Sequence, residues 1–267
     1  MNGLLKSFFE KEKIEYYSAL RYSDCKELRP DIIKRRGLVP RSVILYLLPY
    51  YSGRTRNISA YSASRDYHIA QREISERIIA GLKELYPNNS FFGFADHSPI
   101  DERHAALIAG LGILGDNRLL INKKYGTYVF IAEIISDLDP ETLGARDPMP
   151  ILHCEGCGSC TRACPTKSLS QENECLSSIT QRKGELTGRE IELMRSARTV
   201  WGCDMCQLAC PHNREPRLTP IDFFHEDRID MLTTELIDSM NDDQFAARAF
   251  SWRGRKTIKR NLDALEY

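Results

Sequence analysis

Cysteine is the residue type here whose number and spacing most directly imply chemistry. Nine occur in 267 residues, and seven fall into two runs, Cys154-x2-Cys157-x2-Cys160-x3-Cys164-Pro165 and Cys203-x2-Cys206-x3-Cys210-Pro211. The first residues, MNGLLKSFFEKEKIEYY, hold no sustained apolar run and no small-residue cleavage site. A cytoplasmic chain is therefore expected, in a compartment where thiols stay reduced and grouped cysteines hold metal in preference to disulfides. Thiolates spaced C-x2-C-x2-C-x3-C-P suit a cubane iron–sulfur cluster, three close sulfurs gripping one cluster while the fourth turns away to another. Structural zinc takes paired C-x2-C knuckles across a loop and does not call for such a run.

The second run is incomplete, because Val200 stands where its first cysteine would be. Cys175, between the runs, is the spare thiol that fills the gap. Crossing the ligands as two-cluster ferredoxins do assigns Cys154, Cys157, Cys160 and Cys210 to one [4Fe–4S] cluster, and Cys164, Cys175, Cys203 and Cys206 to the other. Each cluster moves one electron at a time, so two in series relay electrons from an external low-potential donor to an acceptor site. Cys25 lies outside both runs and reads as an incidental thiol.

The elements that must position these thiols follow from periodicity. Residues 1–40 read as helical and charged, ending at the Gly37–Pro40 break, and Ser42 to Leu48 is a continuous apolar run typical of a buried strand. Residues 64–85 place Ile69, Ile74, Ile78, Ile79 and Leu82 at helical spacing. A short strand is expected at Phe91–Ala95. Ser98 as N-cap and Pro99 at the first helical position then open a helix that ends at Gly110. Leu119–Asn122 and Tyr128–Ile135 look like strands paired across a turn at Lys124–Gly126. Asp137 to Pro150 reads as a linker, and helical patterns return at Asp230–Met240 and Asp243–Leu265. Gly110-Leu-Gly-Ile-Leu-Gly115 satisfies G-x-G-x-x-G, but it follows a helix and leads into a strand, the reverse of a dinucleotide site. Gly112 and Gly115 suggest close backbone approach instead, to a flat ligand for example.

The expected fold is α+β, with an α/β cofactor- and substrate-binding domain over residues 1–148, a double-cluster module over 149–215 and a helical segment over 216–267. Hydrophobic residues at 42% and charged residues at 28% are ordinary globular values, and 37 basic side chains balance 37 acidic ones. Bulk charge argues for neither nucleic acid nor membrane, and the longest apolar stretch, Val43 to Pro49, is too short to span a bilayer.

Five segments carry a family resemblance: Ile58-Ser-Ala-Tyr-Ser-Ala-Ser-Arg-Asp-Tyr-His68, Asp96-His-Ser-Pro99, Ala109-Gly-Leu-Gly-Ile-Leu-Gly-Asp-Asn117, Cys154 to Thr166, and Gly202-Cys-Asp-Met-Cys-Gln-Leu-Ala-Cys-Pro-His-Asn213. In order and spacing they resemble epoxyqueuosine reductase over roughly residues 40–215, with a weaker echo at Arg255–Leu265. The resemblance implies a cobalamin in the N-terminal domain beside the two clusters, as in the related reductive dehalogenases. It also implies reduction of an epoxide to an alkene on a modified guanosine analogue of a tRNA anticodon, giving queuosine. Asp96 falls at the family's proton donor, and as a general acid it would need a pKa raised by burial. Ser62 and the backbone of Leu120 and Asn122 fall where the family's corrin sits, and Gln207, between two cluster ligands, could tune a cluster or touch the corrin.

Two departures bear on substrate. The glycine segment usually continues Gly-Lys-Asn or Gly-Lys-His, whereas here it reads Gly115-Asp116-Asn117. Full-length members continue into a helical-repeat domain that helps grip tRNA, and this sequence stops at Tyr267; the basic residues Arg253–Arg260 could partly substitute. Rival readings are a related reductase of another small substrate, and a ferredoxin-type electron carrier without catalysis.

Overall fold

Every residue of the Ser42–Pro49 run is buried, as expected of a strand covered on both faces, and the first unit of the computed structural model is built around it. The structure describes residues 3–265. Their contacts divide the chain into two units, Met1–Pro49 with His68–Cys154, and Tyr50–Tyr67 with Glu155–Tyr267.

In chain order the first unit holds helix α1 (Gly3–Lys11), strand β1 (Tyr17–Arg21), helix α2 (Pro30–Arg36), strand β2 (Ser42–Pro49), helix α3 (Tyr67–Leu85), strand β3 (Phe91–Phe94), helix α4 (Glu102–Ile108), and strands β4 (Ile113–Leu114), β5 (Leu120–Ile121) and β6 (Val129–Ser136). Four strands form one sheet in the order β1-β2-β6-β3, antiparallel at every pairing. Alternation sends Val43, Leu45, Leu47 and Ile135 to one face, where they pack with Ile32, Ala105 and Ile108 of α2 and α4. On the other face the Tyr46 hydroxyl bonds the Ser75 hydroxyl of α3 at 2.6 Å, and its ring lies 5.5 Å from Phe9 of α1. Helices thus cover both faces of an α+β layer structure.

Three local expectations are corrected. The helical, charged reading of residues 1–40 missed β1, an edge strand whose pairing with β2 and whose Tyr17 ring, stacked on Phe9 at 4.2 Å, override local propensity. Asp101, not Ser98, caps α4, its carboxylate accepting the His104 N–H at 3.0 Å; Ser98 accepts the Ile100 N–H in the turn before. The third concerns β5, which pairs with β4, while β6 pairs with β2 and β3. Asn122 and Gly126 do close a turn, but the Asn122 side-chain amide donates to the Leu111 carbonyl at 3.0 Å and ties that arm to the glycine segment. The same hairpin explains Gly112, where a Cβ would lie 2.6 Å from the Ile121 carbonyl oxygen. The close approach that Gly112 permits is to its own chain.

The second unit comprises helices α5 (Ser159–Ala163), α6 (Leu176–Gln181), α7 (Gly188–Ala197), α8 (Met205–Leu208), α9 (Thr234–Ser239), α10 (Asp242–Ala246) and α11 (Arg255–Leu265). Its main core joins Ile58 and Ala63 to Val200, Trp201, Phe250, Ile258 and Leu262. The cysteine region and the helical segment after it, expected as separate parts, therefore share one core. The stretch 137–150 stays with the first unit, tied by Arg146 N–H to Ala19 O and Met149 N–H to Ile108 O. The long helix expected over Asp243–Leu265 is broken at Gly254, whose positive φ (+82°) ends the preceding turn. Among the described residues, no helix is long and apolar enough to cross a membrane.

Candidate functional site

None of the nine cysteines is in a disulfide. Cys154 closes the first unit, and its sulfur accepts the Asp116 backbone N–H at 3.4 Å. The contact uses the backbone of Asp116, so the acidic side chain that departs from the family pattern is not what touches the thiol. In the second unit Cys160 and Cys210 are buried, Cys164, Cys203 and Cys206 half-buried, and Cys157 and Cys175 exposed. Burial raises the Cys164 thiol, but hydroxyls of Ser168 (3.5 Å) and Thr166 (3.7 Å) and the N–H groups of Leu169 and Ser168 outweigh it, so the thiolate is favoured. Burial pushes Cys203 and Cys206 up to about 12, so their thiolates need a compensating positive charge. Reduced soft thiols with N–H and O–H donors on sulfur suit iron–sulfur ligation. Among the described residues no three His, Cys, Asp or Glu side chains converge to hold a single ion. Cubane thiolates bind separate irons and need no such convergence.

Cys25 stands apart from these eight. Its sulfhydryl, pushed up to about 12 by burial, donates to the Arg21 carbonyl, consistent with an inert thiol.

Between Cys203 and Cys206, Asp204 is half-buried and ties two segments of the second unit together. Its carboxylate accepts the Ser59 hydroxyl, the Ala60 N–H (2.6 Å) and the Gln207 amide (2.8 Å). Burial raises its pKa, opposed by those three donors. Gly202 admits the approach, since a Cβ there would lie 2.5 Å from the Ser59 Cβ. Gln207 also accepts the Tyr50 hydroxyl at 3.2 Å, so its side chain is fixed within the unit. Ser62, fully buried, donates to the Ser59 carbonyl at 2.9 Å.

In the first unit, Leu120 is buried and paired with Leu114. The Asn122 backbone exchanges hydrogen bonds with Gly126, and its side chain caps the turn through the Lys124 and Tyr125 N–H groups. Ser62, Leu120, Asn122 and Gln207 thus have local partners already.

Asp96 lies just past β3 in a left-handed backbone conformation, φ +58°, which aspartate tolerates better than most residues. The burial expected of it is not found, for its side chain is 56% exposed. His68, in the first turn of α3, places Nε2 3.4 Å from the Asp96 carboxylate. The Asp96 N–H donates to Glu102 at 2.9 Å, and its carbonyl accepts the Arg29 guanidinium at 3.0 Å. Behind them Glu133 of β6 is fully buried. Burial, then the charge of Glu102, pushes its carboxyl well above the usual range, with the Ser98 hydroxyl opposing.

Sequence reasoning missed Arg29, Glu102 and Glu133. A signal existed for one of them, because Glu133 is the lone acid in the apolar run Val129–Ser136. Arg65, quoted in the first family segment, bonds Glu226 at 3.0 Å and lies over the Phe223 ring. The basic run is likewise committed: Arg255 donates to the carbonyls of Ile237, Met240 and Asn241, and Arg260 to those of Arg182 and Gly184.

Comparison with known proteins adds to this geometry. A family described as "4Fe-4S double cluster binding domain" matches residues 153–213, and this segment binds two [4Fe–4S] clusters. The chain is similar to the epoxyqueuosine reductase of Listeria monocytogenes, 30% identical over 287 residues, covering 97% of this chain and 72% of the relative. It is similar to that of Lactococcus garvieae, also 30% identical, covering 78% of this chain but only 61% of the relative's length. Its fold resembles the crystal structure of epoxyqueuosine reductase with a tRNA-Tyr epoxyqueuosine-modified tRNA stem loop, with TM-score 0.80, 20% identity, and coverage of 98% of this chain and 79% of that one.

Proposed function

Since this chain belongs to the epoxyqueuosine reductase family, we propose that it reduces the epoxide of epoxyqueuosine in tRNA to the alkene of queuosine. The observation that carries the reading is the match to the Listeria reductase over 97% of the chain, which spans both the cysteine module and the Asp96 loop.

Removing an epoxide oxygen as water takes two electrons and two protons. In this reading Cys154, Cys157, Cys160 and Cys210 hold one cluster, Cys164, Cys175, Cys203 and Cys206 hold the other, and an external low-potential donor supplies electrons singly. Cobalamin, when bound against Ser62, Leu120, Asn122 and Gln207, supplies a two-electron centre between the one-electron clusters and the two-electron reduction. The protein's own part is placement and proton supply. Asp96, outside the core and beside His68, presents a carboxyl that delivers a proton to the departing oxygen. His68, 3.4 Å away, orients that carboxyl and accepts or returns its proton through solvent.

The test is anaerobic reconstitution with iron, sulfide and cobalamin, followed by turnover with a chemical reductant on epoxyqueuosine-containing tRNA and nucleoside mass spectrometry. Conversion to queuosine is expected. A protein that carries both clusters and cobalamin yet leaves epoxyqueuosine untouched would refute the reading.

A further inference from the structure

The Asp96 loop is held by contacts from distant parts of the first unit. Its N–H reaches the Glu102 carboxyl at 2.9 Å, its carbonyl receives Arg29 at 3.0 Å, and the other Arg29 nitrogen meets His97 Nδ1 at 2.7 Å. The left-handed backbone at Asp96 gives that N–H a direction which a carboxyl at the start of α4 can meet. Glu102 is no ordinary surface acid. It is half-buried near Glu133, which is fully buried.

We propose that Glu102 is a positioning residue for Asp96, a carboxyl latch that grips the loop by its backbone and sets a second acid beside the Asp96 carboxyl. The proposal rests on the reading of Asp96 as proton donor. It separates two roles that one substitution can divide: gripping needs only an acceptor oxygen, which glutamine keeps, whereas the charge needs a carboxylate, which glutamine lacks. The charged groups around Glu102 are Asp96 and Asp101 on its own segment, Arg29 before α2 and Glu133 on β6; His68 and His97 contact Asp96 and Arg29. Burial and then Asp96 push the Glu102 carboxyl up to about 7. Above that pH Glu102 carries a second negative charge beside the Asp96 loop, and the parental exchange and kcat profiles should bend there. Glutamine cannot ionise, so the bend should be absent from Glu102→Gln.

The test compares Glu102→Ala, Glu102→Gln and Asp96→Asn in the reconstituted holoenzyme. Hydrogen exchange of the peptide containing Asp96 is followed alongside kcat and KM across pH, with iron content and circular dichroism reporting folding. Glu102→Ala should speed exchange at Asp96 and lower kcat by about tenfold or more at every pH, with KM for tRNA little changed. Glu102→Gln should keep protection and most of kcat below that pH, and its profile should lack the inflection near pH 7. If Glu102→Ala fails to fold, Glu102→Gln carries the test through its pH profile alone. Equal losses in both variants with an unmoved profile, or parental kcat and exchange in Glu102→Ala beside an inactive Asp96→Asn, overturn the latch and leave Asp96 as the donor. Full activity in Asp96→Asn removes the donor reading and the latch with it.

Discussion

The cysteine module and the Asp96 loop put reactive side chains in place by opposite means. Most of the cysteines assigned to the clusters follow one another three or four positions apart, so short helices and turns such as α5 and α8 carry them. Asp96 instead takes its neighbours from four separate places: Arg29 before α2, His68 on α3, Glu102 on α4 and Glu133 on β6. Local spacing survives changes elsewhere in the fold, whereas a site assembled from distant elements depends on the whole sheet keeping its register. The two regions should therefore fail differently, the module ligand by ligand and the loop through residues that never touch substrate.

The largest effect tests the one ligand that breaks the local pattern. Cys175→Ala should lose one cluster, halving the iron per chain to about four, and abolish turnover with it. Adding Val200→Cys completes the second run on paper, but Val200 is fully buried against Trp201 and Phe250, with its N–H on the Asn57 carbonyl at 2.6 Å. A thiol at 200 belongs to the core, and iron should stay at half. Recovery of full iron in the double variant would show that spacing alone decides, and that Cys175 is dispensable.

Asp96→Asn should give the converse phenotype. Both clusters should persist, with unchanged iron content and visible absorbance, while turnover falls by about 10²–10⁴, the usual worth of a general acid. Loss of iron in this variant would erase the distinction between the two regions.

That distinction also marks what could be read in advance. The paired cysteine runs, the buried strand at Ser42–Pro49 and the helix bearing Ile74, Ile78 and Leu82 each rest on repeats within a few residues, where periodicity carries the information. Asp96 was legible as a position only through family resemblance, and its setting was not. Burial was expected to raise its pKa, yet the structure buries Glu133, half-buries Glu102 and leaves Asp96 half in solvent. No local pattern could show this, because Glu133 opposes Phe94 and Leu45 through pairings set by the sheet. The strand β1 was hidden for the same reason.

Glu133 offers a smaller test on the side of the distant contacts. An unfolded chain ionises a glutamate near ~4.3, while burial and Glu102 hold the folded carboxyl well above that. Between those two values the folded state keeps a proton the unfolded state has lost, so stability falls as pH rises through the window. Glu133→Gln removes that dependence. Its melting temperature should match the parent's most closely near pH 4 and exceed it at pH 8, by about 2–4 °C for each kcal/mol relieved. A difference that is the same at both pH values would mean Glu133 is ionised in the fold.

The smallest effect concerns the basic run near the end of the chain, where composition alone suggested a grip on tRNA. Arg255 lies over the Phe245 ring at 4.3 Å and donates to three carbonyls, those of Ile237, Met240 and Asn241, at the ends of α9 and α10. Charge-assisted bonds of this kind contribute roughly 1.5–3 kcal/mol when well buried, and less here because the side chain is 28% exposed. Arg255→Gln should therefore lower the melting temperature by a few degrees and leave the salt dependence of tRNA binding alone. Lys256 is its exposed neighbour, and Lys256→Gln should leave stability unchanged. A guanidinium that contacted phosphate would behave the other way, reducing the slope of log affinity against log salt by about one with little change in melting. The pair of variants thus separates a cation that fastens the protein's own backbone from one that meets nucleic acid, a difference that charge counting along the sequence cannot make.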